Sequence, residues 1–203
     1  MDQRLRKSLS KVAEFYDRRK VGDAGPLGFR RSTDLKTLFA CTDRLIHEKI
    51  IDPGETAFLD LGCADGRVNL FFSYLVKLSV GIELDEWTLD EYGPLRTELE
   101  GALKNEGFLS PPENIFLFLG DSTDESLHDA IMRKTDIGLD AFDLFYTYLV
   151  MHEEFAEMLA EKAKPGSIFM IYGLQKILPR YPGFRLLKHL SPMEGILALY
   201  QKV

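Results

Sequence analysis

Apolar positions along this chain follow two rhythms, helical spacing at three- and four-residue intervals and short unbroken runs, and their order predicts most of the fold. Leu5, Leu9, Val12, Phe15 and Tyr16 make the buried stripe of an amphipathic N-terminal helix. Val21 to Gly28 holds four glycines or prolines in eight residues and reads as a loop. Ser32-Thr33-Asp34 then offers helix caps to a segment with Leu35, Leu38, Phe39, Thr42, Leu45 and Ile46 at helical spacing, which ends before Asp52-Pro53-Gly54. Five apolar runs read as core strands: Ala57 to Leu61, Val80 to Glu83, Ile115 to Leu119, Ala141 to Thr147 and Ser167 to Tyr172.

Helical patterns separate those runs. One follows Gly66, one covers about Thr88 to Gly107, one carries Leu127, Ala130 and Ile131, and one runs from His152 to Lys164 before Pro165-Gly166 stops it. Strands alternating with helices imply a parallel sheet covered on both faces. Phe184 to Leu190 and Gly195 to Val203 follow one another across a short turn and predict an antiparallel hairpin. The division this implies is a helical extension and loop over residues 1–28 and one α/β domain over 29–203.

Composition narrows the classes. The chain has 203 residues, of which 45% are apolar and 28% charged, as expected of a globular domain with a good core. No apolar run approaches the length of a membrane span, and a charged N-terminus replaces a signal-peptide core, so a cytoplasmic protein is expected. The only cysteines, Cys41 and Cys63, suggest neither a disulfide framework nor a zinc site, and His152-Glu153 lacks the second histidine of a zinc-protease helix, so no metal is expected. The net charge of −7 is uneven: residues 1–36 carry ten Lys/Arg against five Asp/Glu, and the remainder carries 15 against 27. The acidic body disfavours non-specific binding to a phosphate backbone, while the basic arm suits an acidic partner surface.

The chemistry concentrates at Phe58 to Gly66, Phe-Leu-Asp-Leu-Gly-Cys-Ala-Asp-Gly, where an apolar strand enters a loop of small and acidic residues before a helix. Asp60 at the strand end, with Gly62 and Gly66, lets the backbone approach a ligand, and Glu83 closes the next strand about 20 residues on, where a carboxylate can accept both hydroxyls of a ribose. A dinucleotide fingerprint is absent, because Ala64 and Arg67 stand where its second and third glycines belong, and no Gly-Lys-Ser/Thr occurs for a phosphate loop.

What remains resembles motif I of the class I S-adenosylmethionine-dependent methyltransferases, an acidic residue and then G-x-G-x-G, here Asp60, Gly62, Ala64 and Gly66. The resemblance implies a Rossmann-like, doubly wound, seven-stranded α/β sheet with an antiparallel C-terminal hairpin strand, and S-adenosyl-L-methionine as cofactor. It further implies that Asp60, Gly62, Cys63, Ala64 and Gly66 surround the methionine part, that Glu83 holds the ribose, and that Leu84, Asp121 and Ser122 meet the adenine. A positive φ at Ala64 would crowd the methionine part.

Asp60-Leu-Gly-Cys-Ala-Asp-Gly-Arg67-Val68, Gly81-Ile-Glu-Leu84, Phe145-Tyr-Thr-Tyr-Leu149 and Lys164-Pro-Gly166 look more specifically like the small protein lysine methyltransferases that lack a SET domain. A short link, Gly173 to Gly183 with Pro179 and Pro182, leaves little room for a helix after the fifth core strand, as in that group. The resemblance implies that Thr33, within Ser32-Thr33-Asp34, also reaches the cofactor, and that the methyl acceptor is a protein lysine. Tyr146 and Tyr148 then stand as lining of the acceptor channel, because ring faces attract ammonium and sulfonium charge. A small-molecule acceptor and a binding module without transfer chemistry are the alternatives. The Asn/Asp-Pro-Pro-aromatic sequence of base amine methylation is missing after the fourth core strand.

Overall fold

The computed structural model describes residues 1–25, 28–30 and 32–203, the side chains of 22–30 excepted. Pro26 and Leu27, which fall in the expected N-terminal loop, lie outside the described residues. Helix α1 (Gln3–Asp17) is followed by β1 (Val21–Gly25) and β2 (Gly28–Arg30), which pair antiparallel, Val21 with Arg30 and Gly25 with Gly28. The backbone in this glycine-rich stretch is therefore a strand pair where a loop was expected. Glycine carries no side chain to mark a strand's alternation, so such a segment gives the same sequence signal whether or not it pairs.

Next come α2 (Leu35–His47), β3 (Ala57–Asp60), α3 (Arg67–Ser73), β4 (Leu78–Glu83), α4 (Glu86–Asp90), α5 (Tyr92–Asn105), β5 (Ile115–Leu119) and α6 (Glu125–Thr135). The chain ends with β6 (Leu144–Tyr148), α7 (His152–Lys162), β7 (Ile168–Tyr172), β8 (Phe184–Leu186) and β9 (Leu197–Lys202). The long helix expected near Thr88 to Gly107 is two helices joined at Glu91. Pro94 lacks the amide that would continue the first ladder, and its ring crowds the carbonyl four residues back. The expected strand at Ala141 starts later, because Leu139–Ala141 is a single 3-10 turn.

The seven-stranded sheet has the order β5-β4-β3-β6-β7-β9-β8. Pairs among β3 to β7 are parallel, and β9 lies antiparallel between β7 and β8. The winding reverses between β3 and β6, and that switch point is where open α/β sheets bind ligands, outside the carboxyl ends of the strands.

Alternation across each strand supplies two cores, one on each face of the sheet. Phe58, Tyr146 and Met170 join the cluster that also holds Leu9, Val12, Ala13 and Tyr16 of α1 with Leu35, Leu38 and Leu45 of α2. Leu59, Phe145 and Phe169 point the other way, against Ile131 of α6 and Phe155 and Leu159 of α7. The apolar stripe of α1 is thus buried in the same cluster as the sheet. Asp17 ties the two N-terminal helices together, its carboxylate accepting from the backbone amides of Leu35 at 2.8 Å and Lys36 at 3.0 Å.

Candidate functional site

The loop from β3 to α3 is held from three sides. Asp60, 1% exposed, accepts from the Gly62 amide at 3.1 Å. The Cys63 amide donates to the carbonyl of Ile82 in β4 at 2.8 Å, and the Gly66 amide returns to the Cys63 carbonyl at 2.8 Å. Ala64 has a φ of +49°, and its amide donates to Glu83 Oε2 at 2.9 Å. Its methyl group therefore sits in left-handed backbone, a region that disfavours side chains.

The two motif glycines serve different needs. At Gly66, with φ +72°, a Cβ would lie 2.6 Å from Tyr92 Cδ2 and 2.9 Å from Leu117 Cδ1, so glycine there lets the loop pack on α5 and β5. At Gly62 a Cβ would meet nothing within 4 Å, and the residue is exposed. No protein group requires glycine at Gly62; its open face is the backbone surface available to a ligand.

Glu83 ends β4 with its carboxylate accepting from the Asp85 amide at 2.9 Å as well as from Ala64. Exposed Leu84 and Trp87 follow it, and the register that sets Glu83 beside Leu119 of β5 brings a third exposed apolar side chain to the same end of the sheet. After β5, Asp121 is exposed, and its carboxylate accepts from the amide and hydroxyl of Thr123 at 2.8 Å each, which holds it below its usual range. Ser122 is buried and donates to the Leu61 carbonyl at 2.8 Å, while its own carbonyl meets His128 Nε2 at 2.8 Å. The Ser122 hydroxyl is thus committed to the glycine loop, a brace that the strand-end pattern did not reveal.

Burial pushes Asp60 up to about 8; the Gly62 amide opposes that shift, and the nearby Glu83 and Asp65 carboxylates add to it. Burial also raises the Cys63 thiol, which leaves it a packing group. Thr33 and Tyr146 come together as a hydrogen-bonded pair, both buried. Tyr146 therefore lies behind Thr33, with its phenol engaged, and the open end of β6 belongs to Tyr148. That ring is half-buried and lies 5.5 Å from Tyr172 at an interplanar angle of 35°. Tyr172 escaped the sequence reading; its signal is that the two tyrosines end parallel strands at the same register.

Arg67 and Asp65 were legible only as letters of a motif. In the structure both are buried, and the guanidinium grips the carboxylate through Nε at 2.9 Å and Nη2 at 2.8 Å. Among the described residues, no group of three or more His, Cys, Asp or Glu is arranged to hold a metal ion, and no helix is long and apolar enough to cross a membrane.

No protein-family model matches the chain, and no curated protein matches it in sequence. Solved structures do match. An RNA methyltransferase from Salinibacter ruber in complex with S-adenosyl-L-homocysteine is 16% identical, with a TM-score of 0.54 over 86% of this chain and 94% of that one. The rRNA methyltransferase aviRa from Streptomyces viridochromogenes is 12% identical, with a TM-score of 0.57 over 88% of each chain. This chain has a methyltransferase fold. The switch point between β3 and β6 carries the Asp60–Gly66 loop and the Thr33–Tyr146 pair, with Glu83 bonded to that loop from the end of β4.

Proposed function

We propose that the protein is an S-adenosyl-L-methionine-dependent methyltransferase. The observation that carries this reading is the placement of Glu83: a buried carboxylate at the end of β4, oriented by two backbone amides, one of them from Ala64 in the glycine loop that also carries the open face of Gly62. A carboxylate at the end of the second strand of such a unit is the group that a ribose's two hydroxyls call for. Asp60, Gly62, Cys63, Ala64 and Gly66 surround the methionine part, Leu84 with the Asp121–Ser122 turn meets the adenine, and Thr33 closes the β6 side.

The cofactor supplies an electrophilic methyl group on a sulfonium. The chain's own contribution is alignment and exclusion of water, which together account for much of the acceleration in a displacement of this kind. Glu83 and the loop fix one partner of the reaction. Tyr148 receives the other at the end of β6, its ring backed by the buried Tyr172 of β7, whose phenol is raised mainly by burial, with Asp34 adding to the shift. An aromatic face suits an amine, which arrives as a cation and reacts after losing a proton. The acceptor in this reading is a protein lysine, with a small-molecule amine as the second reading.

Incubation with methyl-labelled cofactor and separate pools of protein, RNA and small metabolites tests the assignment. Label on lysine side chains supports the first acceptor, and label confined to metabolites supports the second. Label confined to RNA overturns both, and binding without transfer to any pool leaves a non-catalytic binding module.

A further inference from the structure

We propose that Arg67 is a positioning residue for the cofactor loop and that the N-terminal segment holds it there, so that α1 and Ser32 are part of the site; this rests on reading Leu61–Gly66 as that loop. Arg67 is the first residue of α3 and is 2% exposed. A cation at a helix start opposes the helix dipole, and burying an ion pair costs desolvation that its Coulomb attraction only partly offsets. Stability alone is therefore a poor reason for the pair.

Its geometry gives a better one. The fork on Asp65 fixes the residue between Ala64, whose amide holds Glu83, and Gly66, whose amide closes the turn on Cys63. The remaining arm of the guanidinium, Nη1, donates to Ser32 Oγ at 3.1 Å, and one face lies 5.4 Å from the centre of the Tyr16 ring. One planar group thus joins the glycine loop to two parts of the N-terminal segment. The Tyr16 hydroxyl is buried without a hydrogen-bond partner, so its ring is what the contact uses.

The segment is anchored on both sides of the loop. Arg19 pairs with Glu91 at 3.1 Å, at the joint between α4 and α5 beyond β4, and Thr33 bonds Tyr146 near the end of β6. Its two ends therefore bracket the end of β3, from which the loop departs.

Amide hydrogen exchange on the ligand-free protein, joined to calorimetry with S-adenosyl-L-homocysteine, tests the coupling. In Arg67→Gln, and in Ser32→Ala and Tyr16→Leu, which leave the ion pair in place, the amides of 63–66 exchange roughly tenfold faster while those of β6 and β7 keep their protection. The dissociation constant rises in the same three variants. Arg67→Lys does not rescue, because an ammonium cannot fill the fork, and Arg18→Ala, which loses only an exposed pair with Glu14, matches wild type. Unchanged loop exchange in all three variants, or equal loosening throughout the sheet, overturns the proposal. Local loosening in a protein that fails to bind S-adenosyl-L-homocysteine supports the coupling and sinks the cofactor reading instead.

Discussion

The Ala64 amide lies 2.9 Å from Glu83 Oε2 and joins the ends of β3 and β4 through one charge-assisted hydrogen bond. The strained residue of the loop and the carboxylate assigned to the ribose are therefore a single unit. Whatever shifts one of them shifts the other.

The two motif glycines separate packing from binding. Gly66→Ala drives a methyl into Tyr92 and Leu117 at positive φ and is expected to cost about 1–3 kcal/mol of stability. Gly62→Ala meets open space, so denaturant unfolding should stay within about 0.5 kcal/mol of wild type while cofactor affinity falls. Equal stability losses in the two variants would remove the distinction.

Asp60 makes both stability and binding depend on pH. Its folded carboxyl is raised from 3.8 to about 8, so the folded state holds a proton that the unfolded state releases, and stability falls as pH rises from about 4 to 8. Asp60→Asn lacks that slope, and its advantage over wild type should grow across the same window to a few kcal/mol, on the order expected for a buried carboxylate. Cofactor, cationic at sulfur and at the amino group, favours the ionised form, so its binding near neutral pH expels a proton. Calorimetry in buffers of different ionisation heat reads that proton directly, and Asp60→Asn should abolish it.

Tyr146 and Tyr148 are two residues apart and are expected to behave differently. Tyr146→Phe removes the bond to Thr33 and should cost about 1 kcal/mol of stability. Tyr148→Ala opens the half-buried end of β6, so acceptor turnover should fall with cofactor affinity retained. Turnover unaffected by Tyr148→Ala would move the acceptor elsewhere.

Ser122→Ala breaks a buried bond to the Leu61 carbonyl, a loss of about 1–2 kcal/mol that thermal unfolding would register. If the hydroxyl instead contacts adenine, affinity falls with little change in unfolding temperature.

The sheet was legible because its strands are short apolar runs between helical patterns, and all five core strands sit within a few residues of their expected places. Glu83 could be found because distance along a βα unit fixes it at the end of β4. Gly66 and Gly62 carry the same letter yet do different work, which depends on Tyr92 and Leu117 arriving from distant sequence. The Arg67 contacts were hidden for the same reason: Ser32 is 35 residues away, and no spacing rule joins a buried guanidinium to an N-terminal tyrosine ring. Tyr146 looked like a channel residue from its position, but it lies one step deeper than Tyr148 on the same face of β6, buried with its phenol bonded to Thr33.

Titration of the wild-type protein and Glu83→Ala with S-adenosyl-L-homocysteine, with both shown to be folded, decides whether Glu83 holds the cofactor. Wild type should show saturable binding to one site, and Glu83→Ala a loss of roughly tenfold or more, as expected when hydrogen bonds from a ribose to a carboxylate are removed. Absence of binding in wild type, or equal affinity in the two proteins, would contradict that assignment.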